Sequence, residues 1–437
     1  MKNLLKYSLF ALLLAAMLLA LAACGDHTHE YAEEWVKDAT HHWHNPICDH
    51  KPTDRVPVGQ LASHTYDSPI LTAATCTTAG KEISTCSICG YKKEVTVAAT
   101  GHSYANNKQA YVAEGEVLYL CTYCDNCDVP LKTVVDDAII VTPDTAQTAL
   151  DNAEDGAILY FAEGDYGTLL FRTLKEKSVM ASSEWAGGSA KIYIRTFNNL
   201  TLIAAETATF DCIKAEAADH LLDTNIHSLY PNEYLRAGVV LNNLTIKGFT
   251  FTGAAAVAID LSGRVSFDGI TVDGCKMTDA DKDSRLLFRS GDASGVSDAN
   301  GTPVLVGVMK NVTVKNCVVD GAYQVMELRG IENVTIVDNT FKNIAKQTLL
   351  LNKANGTFSG TITIKGNTAE NIAERFIRMD GVADGATVII ENNAVNGYTG
   401  EDEDIIKVTN ADGATVTLAV NTLPEGTTVT VPTPAAE

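Results

Sequence analysis

Cysteine and histidine are concentrated in one part of this 437-residue chain. Eight of its 11 Cys and eight of its 10 His lie between residues 24 and 127. Two Cys separated by two residues on a turn present two thiolates to one metal ion, and a further Cys or His completes a tetrahedron. The segments CSIC from Cys86 and CTYCDNC from Cys121 have this spacing. These residue types therefore predict small modules that bind structural zinc.

The Cys and His residues fall into three groups, which predict modules at residues 25–62, 63–103 and 104–135. The candidate ligands, module by module, are His44, Cys48 and His50 with His27 and His29, then Cys76, Cys86, Cys89 and either His64 or His102, then Cys121, Cys124 and Cys127. Disulfides are the alternative if the chain is exported to an oxidising space, and unpaired reduced thiols are a third possibility. Modules of about 35–40 residues need such crosslinks because their apolar cores are small.

These groups resemble small Cys-rich repeats near the membrane anchor of surface proteins from gut and anaerobic bacteria. The resemblance rests on the segments HWHNPICDH from His42 and TAATCTTAGKEISTCSICGYKKE from Thr72. It implies that residues 27–127 form a surface spacer, and it implies no catalytic activity.

The first 24 residues are predicted to be a targeting segment that is not part of the fold. Lys2 and Lys6 precede an apolar run that ends in Leu-Ala-Ala-Cys at Cys24. Small residues before a single Cys resemble the bacterial lipoprotein signal, in which that Cys carries the lipid. The resemblance implies an exported protein, lipid-anchored at the bacterial membrane or cell surface through Cys24.

The elements of the rest of the chain are indicated by a phrase that recurs about every 20 to 30 residues. Examples are NNLTIKGFTF from Asn242, KNVTVKNCVV from Lys310 and GTITIKGNTA from Gly360. Each copy alternates apolar and polar residues and is followed by Gly or Asn, which is typical of a short strand and a turn. A repeat of this period predicts a solenoid, and the absence of helical patterns between the copies predicts a parallel β-helix.

The repeats align on one column of residues, namely Thr245, Thr271, Thr313, Thr335, Thr363, Ile389 and Thr417. Four positions later the last four copies have Asn339, Asn367, Asn393 and Asn421, which are predicted to stack as a structural amide ladder about 4.8 Å apart. Cys275 and Cys317 occupy the same position in earlier copies and are predicted to be small buried residues.

A second strand in each coil is predicted at 257–261, 286–289, 325–329, 349–352, 376–380 and 405–409. Alternation along these strands places charged residues of both signs on one outer face. The ligand-binding candidates on this face are Arg289, Arg329, Arg378 and Lys407, and the catalytic candidates are Glu327, Arg329, Arg378 and Asp380. The alternative is a solvated surface of cross-strand ion pairs.

The start of the coil, TAQTALDNA from Thr145 followed by ILYF from Ile158, resembles the opening of proteins of the pectate-lyase-like superfamily. That resemblance implies a capping helix on the first coil and glycan contacts on an outer sheet face. The predicted fold is therefore all-β, a right-handed single-stranded parallel β-helix over residues 136–437 with an N-terminal capping helix, preceded by zinc-ribbon-like Cys/His modules.

Two insertions interrupt the repeats, at 174–188 with a further excursion at 219–237, and at 291–303. Long loops on a repeat scaffold often form a binding rim. In the second insertion Asp292, Asp298 and Asn300 offer oxygen ligands for Ca²⁺, although no recognised calcium-loop spacing is present and a plain polar loop is the simpler interpretation.

Charge and motifs narrow the function classes. The net charge of −21 excludes nucleic acid as a partner, because phosphates require Lys and Arg. The first hypothesis is a surface module that binds a glycan or extracellular material, and the second is a polysaccharide lyase or glycoside hydrolase acting on a uronate-containing polysaccharide. A spacer without a ligand is the third hypothesis, and the sequence leaves the oligomeric state open.

Overall fold

The structure, a computed structural model, describes residues 30–47, 59–174, 177–185, 188–215, 234–263, 265–278, 285–291, 296–297, 303–305, 307–352, 356–400 and 404–432. Several predictions concern positions outside these ranges, namely residues 1–24 with Cys24, the ligand candidates His27, His29, Cys48 and His50, and the calcium candidates Asp292, Asp298 and Asn300. The chain forms two compact units: Met1–Lys108 with Thr122–Leu131 is unit one, and Gln109–Cys121 with Lys132–Glu437 is unit two.

Unit one is built from short antiparallel strands in three-stranded sheets. The first sheet contains β1 (Tyr31–Lys37), β2 (His41–Pro46) and β3 (Gly59–Ser63), and the second contains β4 (Ile70–Thr72), β5 (Gly80–Thr85) and β6 (Lys92–Val97). A third sheet contains β7 (Gln109–Glu114), β8 (Val117–Tyr123) and β9 (Pro130–Val134). The strands of this third sheet fall mainly in unit two, whereas the turn between β8 and β9 falls in unit one.

The buried side chains of unit one are unusual in kind. Within the part of unit one that the structure describes, they are His42, Cys76, Cys86, Cys89 and Cys124, and no Leu, Ile, Val, Phe, Met or Trp side chain is buried. Large apolar residues of the second sheet, such as Ile70 and Leu71, are more than two-thirds exposed, at 71% and 68%. Thiols and imidazoles therefore occupy the place that an apolar core would take in a larger domain.

Unit two is a parallel β-helix, and the strands of its stacked coils form three long sheets. Sheet A contains β10 (Ala138–Val141), β11 (Ile158–Phe161), β14 (Val179–Trp185), β15 (Gly188–Asn198), β16 (Thr201–Ala204), β19 (Tyr234–Lys247), β22 (Val265–Asp273), β27 (Met309–Lys315), β30 (Glu332–Val337), β33 (Ser359–Lys365), β36 (Thr387–Glu391) and β39 (Thr415–Ala419). Its strands pair in parallel apart from β14, which pairs antiparallel with β15.

The other two sheets contain the shorter strands of each coil. Sheet B contains β12 (Gly164–Asp165), β17 (Ala208–Phe210), β20 (Thr250–Phe251), β23 (Lys276–Thr278), β28 (Val318–Ala322), β31 (Thr340–Ile344), β34 (Thr368–Ile372) and β37 (Ala394–Asn396). Sheet C contains β13 (Thr168–Phe171), β18 (Cys212–Ala215), β21 (Val257–Leu261), β24 (Leu286–Ser290), β29 (Gln324–Arg329), β32 (Leu349–Asn352), β35 (Ile377–Asp380), β38 (Asp404–Thr409) and β40 (Thr428–Thr430). A separate hairpin joins β25 (Val296–Ser297) and β26 (Pro303–Leu305).

The register of sheet A follows the predicted column. Thr245 aligns with Thr271, and the alignment continues through Thr313, Thr335, Thr363, Ile389 and Thr417. Alternate residues of these strands point inward and form one continuous apolar core, which includes Ile246, Val272 and Ile336 at 0% exposure. One coil therefore buries its apolar face against the next, as a solenoid requires.

The helix α1 (Ala146–Asn152) packs at the start of the coil, with Leu150 fully buried. Thr145 occupies the N-cap position but makes no capping bond; its hydroxyl accepts the backbone N–H of Thr142 instead. The C-terminal end of the helix is stabilised by the buried Arg195, whose guanidinium donates to the carbonyl oxygen of Asp151 at 2.7 Å.

The turn after each strand of sheet A contains the amide ladder. Asn339, Asn367 and Asn393 each donate a side-chain N–H to the amide oxygen of the next Asn, at 2.9, 2.9 and 3.0 Å, and the series ends at Asn421. The residue just before each of these Asn adopts the left-handed conformation. Those residues are Asp338, Gly366, Asn392 and Val420, with φ of 56°, 67°, 55° and 50°.

Candidate functional sites

Four metal-ligand side chains meet in unit one at residues His42, His64, Cys86 and Cys89, which we call tetrad one. Their donor atoms all lie within 4.8 Å of one another. The two imidazole Nδ1 atoms are 3.5 Å apart, the Cys86 sulfur is 3.8 Å from His42 Nδ1, and the Cys89 sulfur is 3.4 Å from His64 Nδ1. The four donor atoms are therefore close enough together to hold one metal ion.

The imidazoles of tetrad one are held by their neighbours. His64 Nε2 lies 2.9 Å from the carbonyl oxygen of Asp38. This contact selects the tautomer in which Nε2 carries the proton and the Nδ1 lone pair is available to a metal ion. The ring of Tyr91 stacks on His64 at a centroid distance of 4.5 Å, and Trp35 packs edge-on against His42 at 4.6 Å. Such outer contacts fix ring orientation, as they do around metal-binding His in general.

A second group, tetrad two, consists of Cys76, His102, Cys124 and Cys127. The sulfur atoms of Cys76 and Cys124 are 3.5 Å apart, and the Cys127 sulfur lies 3.2 Å from His102 Nδ1. All four donors again lie within 4.8 Å of one another. Tetrad two has three thiols and one imidazole, whereas tetrad one has two of each.

The two tetrads are built on the same local structure. In tetrad one the amide of Cys86 donates to the carbonyl of Tyr91, and the amide of Ser87 donates to Thr65 within the HxY segment. In tetrad two the equivalent bonds run from Cys124 to Val129 and from Asp125 to Ser103. Both CxxC turns therefore have the same backbone folding, which brings both sulfur atoms beside the His of the HxY segment.

Five of the donor separations are close to those of a tetrahedral zinc site, and all of them lie within 4.8 Å. With Zn–S of about 2.3 Å and Zn–N of about 2.0–2.1 Å, tetrahedral geometry places neighbouring donors about 3.3–3.8 Å apart. The five donor separations given above span 3.2–3.8 Å. Cys76 and Cys124 are too far apart for a disulfide bond of about 2.05 Å, and all nine Cys in the described residues are free.

The thiols of the tetrads differ in acidity. Burial raises the pKa of Cys86, but backbone N–H groups of Cys89 and Ile88 and the side chain of His64 outweigh it and lower the pKa to about 6. Cys124 has a pKa of about 6 for similar reasons, since the amide of Asn126 and the side chain of His102 outweigh burial. Hydrogen bonding to the Cys127 thiol and burial raise the pKa of Cys76 to about 11. Each tetrad thus has one thiol poised as the thiolate that metals bind.

These tetrads correct the predicted ligand groups. Cys76 does not join Cys86 and Cys89 but lies in the other tetrad, and His42, which was not a predicted ligand, completes tetrad one. His44 packs on Trp35 at 3.8 Å with Nδ1 3.1 Å from the Glu34 oxygen, and Cys121 is a buried thiol of β8 outside both tetrads. The sequence signal for the correct grouping is an equal spacing of 22 residues from each HxY histidine to its CxxC pair.

The charged face predicted for the coil lies on sheet C. One outward column runs through Asp260, Arg289, Glu327, Leu350, Arg378 and Lys407, and a second through Arg329, Asn352, Asp380 and Thr409. Arg329 and Arg378 therefore lie in different columns.

The early coils of sheet C are neutralised by ion pairs. Arg289 contacts Asp260 through two nitrogen atoms, at 2.7 and 3.3 Å. Arg329 likewise donates to Glu327 on its own strand, at 2.7 and 3.2 Å. Ion pairs within the protein therefore already occupy the side chains of Arg289, Arg329 and the catalytic candidate Glu327.

The late coils of the same sheet have a different arrangement. A recess of about 520 Å³ is lined by Arg375, Arg378, Asp380, Lys407, Thr409 and Asn410. Asp380 accepts the Thr409 hydroxyl at 3.0 Å and the Asn410 amide at 2.5 Å, while Lys407 pairs with Asp404 at 3.2 Å. Arg378 is exposed. Within the described ranges, no other residue forms a hydrogen bond or ion pair with its side chain. We call this feature the Arg378 recess.

The charge of the Arg378 recess is positive on a strongly acidic chain. Three cationic side chains and one carboxylate line it, whereas the whole chain has a net charge of −21. Arg375 and Asn410 were not among the predicted residues. Both lie just beyond the end of a strand, where alternation does not indicate which way a side chain points. The recess places Arg378, Asp380 and Lys407 together, and leaves Glu327 two strands away.

Comparison with known proteins bears on the coil. A family model described as the right handed beta helix region matches residues 237–419. The coil is a right-handed β-helix. Among solved structures, the chain is similar to a family 28 exopolygalacturonase of Yersinia enterocolitica, at 12% identity and a TM-score of 0.33, covering 75% of this chain and 78% of that one.

A second similar structure is a hyperthermoactive exopolygalacturonase from Thermotoga maritima, at 12% identity and a TM-score of 0.26, covering 66% of this chain and 93% of that one. Both likenesses are too distant to assign an activity. No curated protein matches the sequence.

Proposed function

We propose that the protein is a surface lipoprotein whose β-helix binds an acidic glycan at the Arg378 recess. The observation that carries this proposal is the cluster of Arg375, Arg378 and Lys407 around one carboxylate, in a recess on a chain of net charge −21. A planar guanidinium is suited to paired hydrogen bonds with a carboxylate, which is the acidic group of a uronate.

The contrast with the early coils supports binding at the recess and not elsewhere on sheet C. Arg289 and Arg329 already satisfy a carboxylate of the protein itself, so a ligand would have to displace that partner. A ligand that binds Arg378 does not have to displace a partner among the described residues. This favours Arg378 as the first contact of an incoming carboxylate.

Hydrolysis or elimination at this recess is the second candidate, and the arrangement favours it less. Glycoside hydrolysis needs two carboxyl groups about 5–9.5 Å apart across the bond. Asp380 is the only carboxylate among the described lining residues, and Glu327 lies two strands away, about 10 Å along the stack. Glu327 is also held by Arg329. Binding without turnover is therefore the better match.

The experiment is a binding screen of polygalacturonate and other uronate polysaccharides, with neutral polysaccharides as controls. Arg378→Ala should weaken the binding of the uronate hit by about 10- to 100-fold, the value of one or two charge-assisted hydrogen bonds. The matched control is Arg289→Ala on the same sheet face, which should leave affinity unchanged. Equal affinity in wild type and Arg378→Ala would exclude the recess, and release of unsaturated or reducing products would establish the enzyme.

Anchoring forms part of the same proposal and rests on the Leu-Ala-Ala-Cys segment that ends at Cys24. No helix within the described residues is long and apolar enough to cross a membrane. Replacement of Cys24 by Ala should move the protein from the membrane fraction to the soluble fraction and abolish labelling with a fatty-acid probe. A labelled, membrane-bound Cys24→Ala protein would contradict lipid attachment at this residue.

The Cys/His tetrads are proposed to hold structural Zn²⁺. Thiolate and imidazole ligands in tetrahedral order favour zinc over magnesium or calcium, which prefer oxygen ligands. The protein purified without chelator should contain at least two zinc ions per chain by mass spectrometry. A metal-free protein with reactive thiols would contradict the zinc assignment.

A further inference from the structure

The ligands of each tetrad come from two successive modules of the chain. Tetrad one takes His42 from residues 25–62 and His64, Cys86 and Cys89 from residues 63–103. Tetrad two takes Cys76 and His102 from residues 63–103 and Cys124 and Cys127 from residues 104–135. The first module contributes only His42, which lies on β2, whereas Cys76 of tetrad two lies in the connection between β4 and β5.

We infer that the metal ions crosslink successive modules, so that metal binding in one module folds part of the next. This inference rests on the proposed zinc binding, and it adds that each ion stabilises two successive modules together. A metal site within one module would stabilise that module alone. A shared site makes the folding free energy of two modules depend on one ion.

Further contacts at tetrad one span the same two modules. His64 of the second module lies 2.9 Å from the Asp38 carbonyl oxygen of the first module, and Lys37 of the first module donates to the carbonyl of Cys89 at 2.9 Å. Asp38 also organises its own turn by accepting the amides of Thr40 and His41, each at 2.7 Å. The turn that leads into β2, the strand that carries His42, therefore also supports the imidazole contributed by the next module.

No buried Leu, Ile, Val, Phe, Met or Trp side chain accompanies these crosslinks in the described part of unit one. The buried side chains there are the ligands His42, Cys76, Cys86, Cys89 and Cys124. Since apolar burial is the usual source of stability, its scarcity leaves metal coordination as the main interaction between consecutive modules. Loss of one ligand should therefore be felt on both sides of the crosslink.

The test uses the full-length protein and two neighbouring His residues. His42→Ala removes the ligand that the first module contributes to tetrad one, and His44→Ala removes a His two positions away that is outside both tetrads. We expect His42→Ala to bind one zinc ion fewer than wild type, and His44→Ala to bind the same number. Because both variants lose one imidazole from β2, the comparison separates coordination from side-chain removal.

Hydrogen exchange then follows where the stabilisation is lost. In His42→Ala we expect faster exchange at the amides of Cys86, Ser87 and Gly90, which belong to the second module. The amides of Cys124 and Asp125 should remain as slow as in wild type, because tetrad two is intact. Because Cys86 contacts His42 directly, the zinc content of the same variant is needed to show that faster exchange in the second module follows from lost coordination.

The reciprocal variant protects the test against simple misfolding of the first module. Cys86→Ser should accelerate exchange at His41 and Asp38, in a hairpin that contains no Cys within the described residues. Cys121→Ser removes a buried thiol outside both tetrads and should leave zinc content and these amides unchanged.

The outcomes separate the two levels of the proposal. A wild-type protein that contains no zinc overturns the zinc assignment and this inference together. A wild-type protein with zinc, in which His42→Ala keeps its full zinc content, overturns only the shared site. The same holds if Cys86→Ser leaves the β1–β2 hairpin unaffected, because the ion would then stabilise one module alone.

Discussion

The Cys/His modules and the β-helix form sheets in two different ways. In the coil, each strand buries apolar residues against the coil before and after it, and side chains such as Phe249 and Ile336 are fully buried. In the described part of unit one, by contrast, the buried side chains are the tetrad residues His42, Cys76, Cys86, Cys89 and Cys124. Repetition supplies the coil with a core of any length, whereas a module of about 40 residues has to obtain its stability from a few strong bonds.

The largest expected effect follows directly from this difference. Exhaustive removal of zinc with a strong chelator should unfold the modules and leave the β-helix intact, because only the modules depend on coordination. Hydrogen exchange should show complete exchange across residues 59–108 and unchanged protection at Thr313 and Thr335. Equal protection of the modules before and after chelation would show that they have another source of stability.

The coil should instead be sensitive to its polar ladder. Asn367 donates to the carbonyl of Ile336 at 2.9 Å and to Asn393, and its oxygen accepts from Asn339. Asn367→Ala leaves several buried polar groups without their hydrogen-bond partner and should lower the free energy of unfolding of the coil by about 2–4 kcal/mol. Urea unfolding monitored on the coil measures this.

Lys365→Ala on the adjoining strand is the matched control for the ladder variant. It removes an exposed ion pair with Glu391 at 2.7 Å and should cost no more than about 0.5 kcal/mol. Equal losses in the two variants would mean that the ladder contributes no more than a surface pair, and zinc content should be unchanged in both.

A smaller effect, of opposite sign, is expected at Val420. Its φ of +50° is a left-handed conformation that a β-branched residue adopts with strain, and its side chain is 83% exposed, so little packing is lost on its removal. Val420→Gly should stabilise the coil by about 1 kcal/mol, the cost of this conformation for a residue with a Cβ. A lower midpoint of urea unfolding for Val420→Gly would show that the valine side chain contributes more than its backbone costs.

The smallest effect concerns pH. Burial raises the pKa of Asp260, but hydrogen bonds from Arg289 and Ser262 outweigh burial, so the pKa is lowered in the folded protein. A lowered folded pKa means that the pair stabilises the coil above the unfolded pKa of about 4, and that this contribution is lost as pH falls through the folded value.

Urea unfolding at pH 7 and pH 3 tests this linkage. The loss of coil stability between the two pH values should be smaller in Asp260→Asn than in wild type, because the substituted amide does not titrate. Identical pH dependence in the two proteins would mean that Asp260 makes no differential contribution. The modules should lose their zinc over the same acid range, since protons compete for thiolate and imidazole.

The sequence predicted the coil more successfully than the tetrads, for a physical reason. The Thr column and the inward residues of sheet C follow from a period that repeats along the chain, so local alternation is enough to align Thr245 with Thr271. Sheet B was not predicted, because strands as short as Thr250–Phe251 are too brief to show alternation. The family match to residues 237–419 confirms the predicted right-handed β-helix.

The metal ligands could not be grouped from proximity in sequence. Cys76 lies 10 residues before Cys86 in the chain, but its sulfur meets Cys124, which is 48 residues away. Grouping by nearest neighbours assumes that a module closes on itself, and these modules exchange ligands. Arg375 was missed for a related reason, since it precedes its strand and enters the recess through the folding of the turn.

The outward columns of sheet C have a consequence for how such a surface can change. Inward residues such as Met326 and Met379 are fully buried and determine the packing, whereas their outward neighbours Glu327 and Arg378 are set independently on each coil. A substitution of an outward residue can therefore alter the surface charge of its coil and of the coil it pairs with, as Arg289 pairs with Asp260, and leave the buried packing as it was. The charge of this face can thus be changed stepwise along the stack without rebuilding the scaffold.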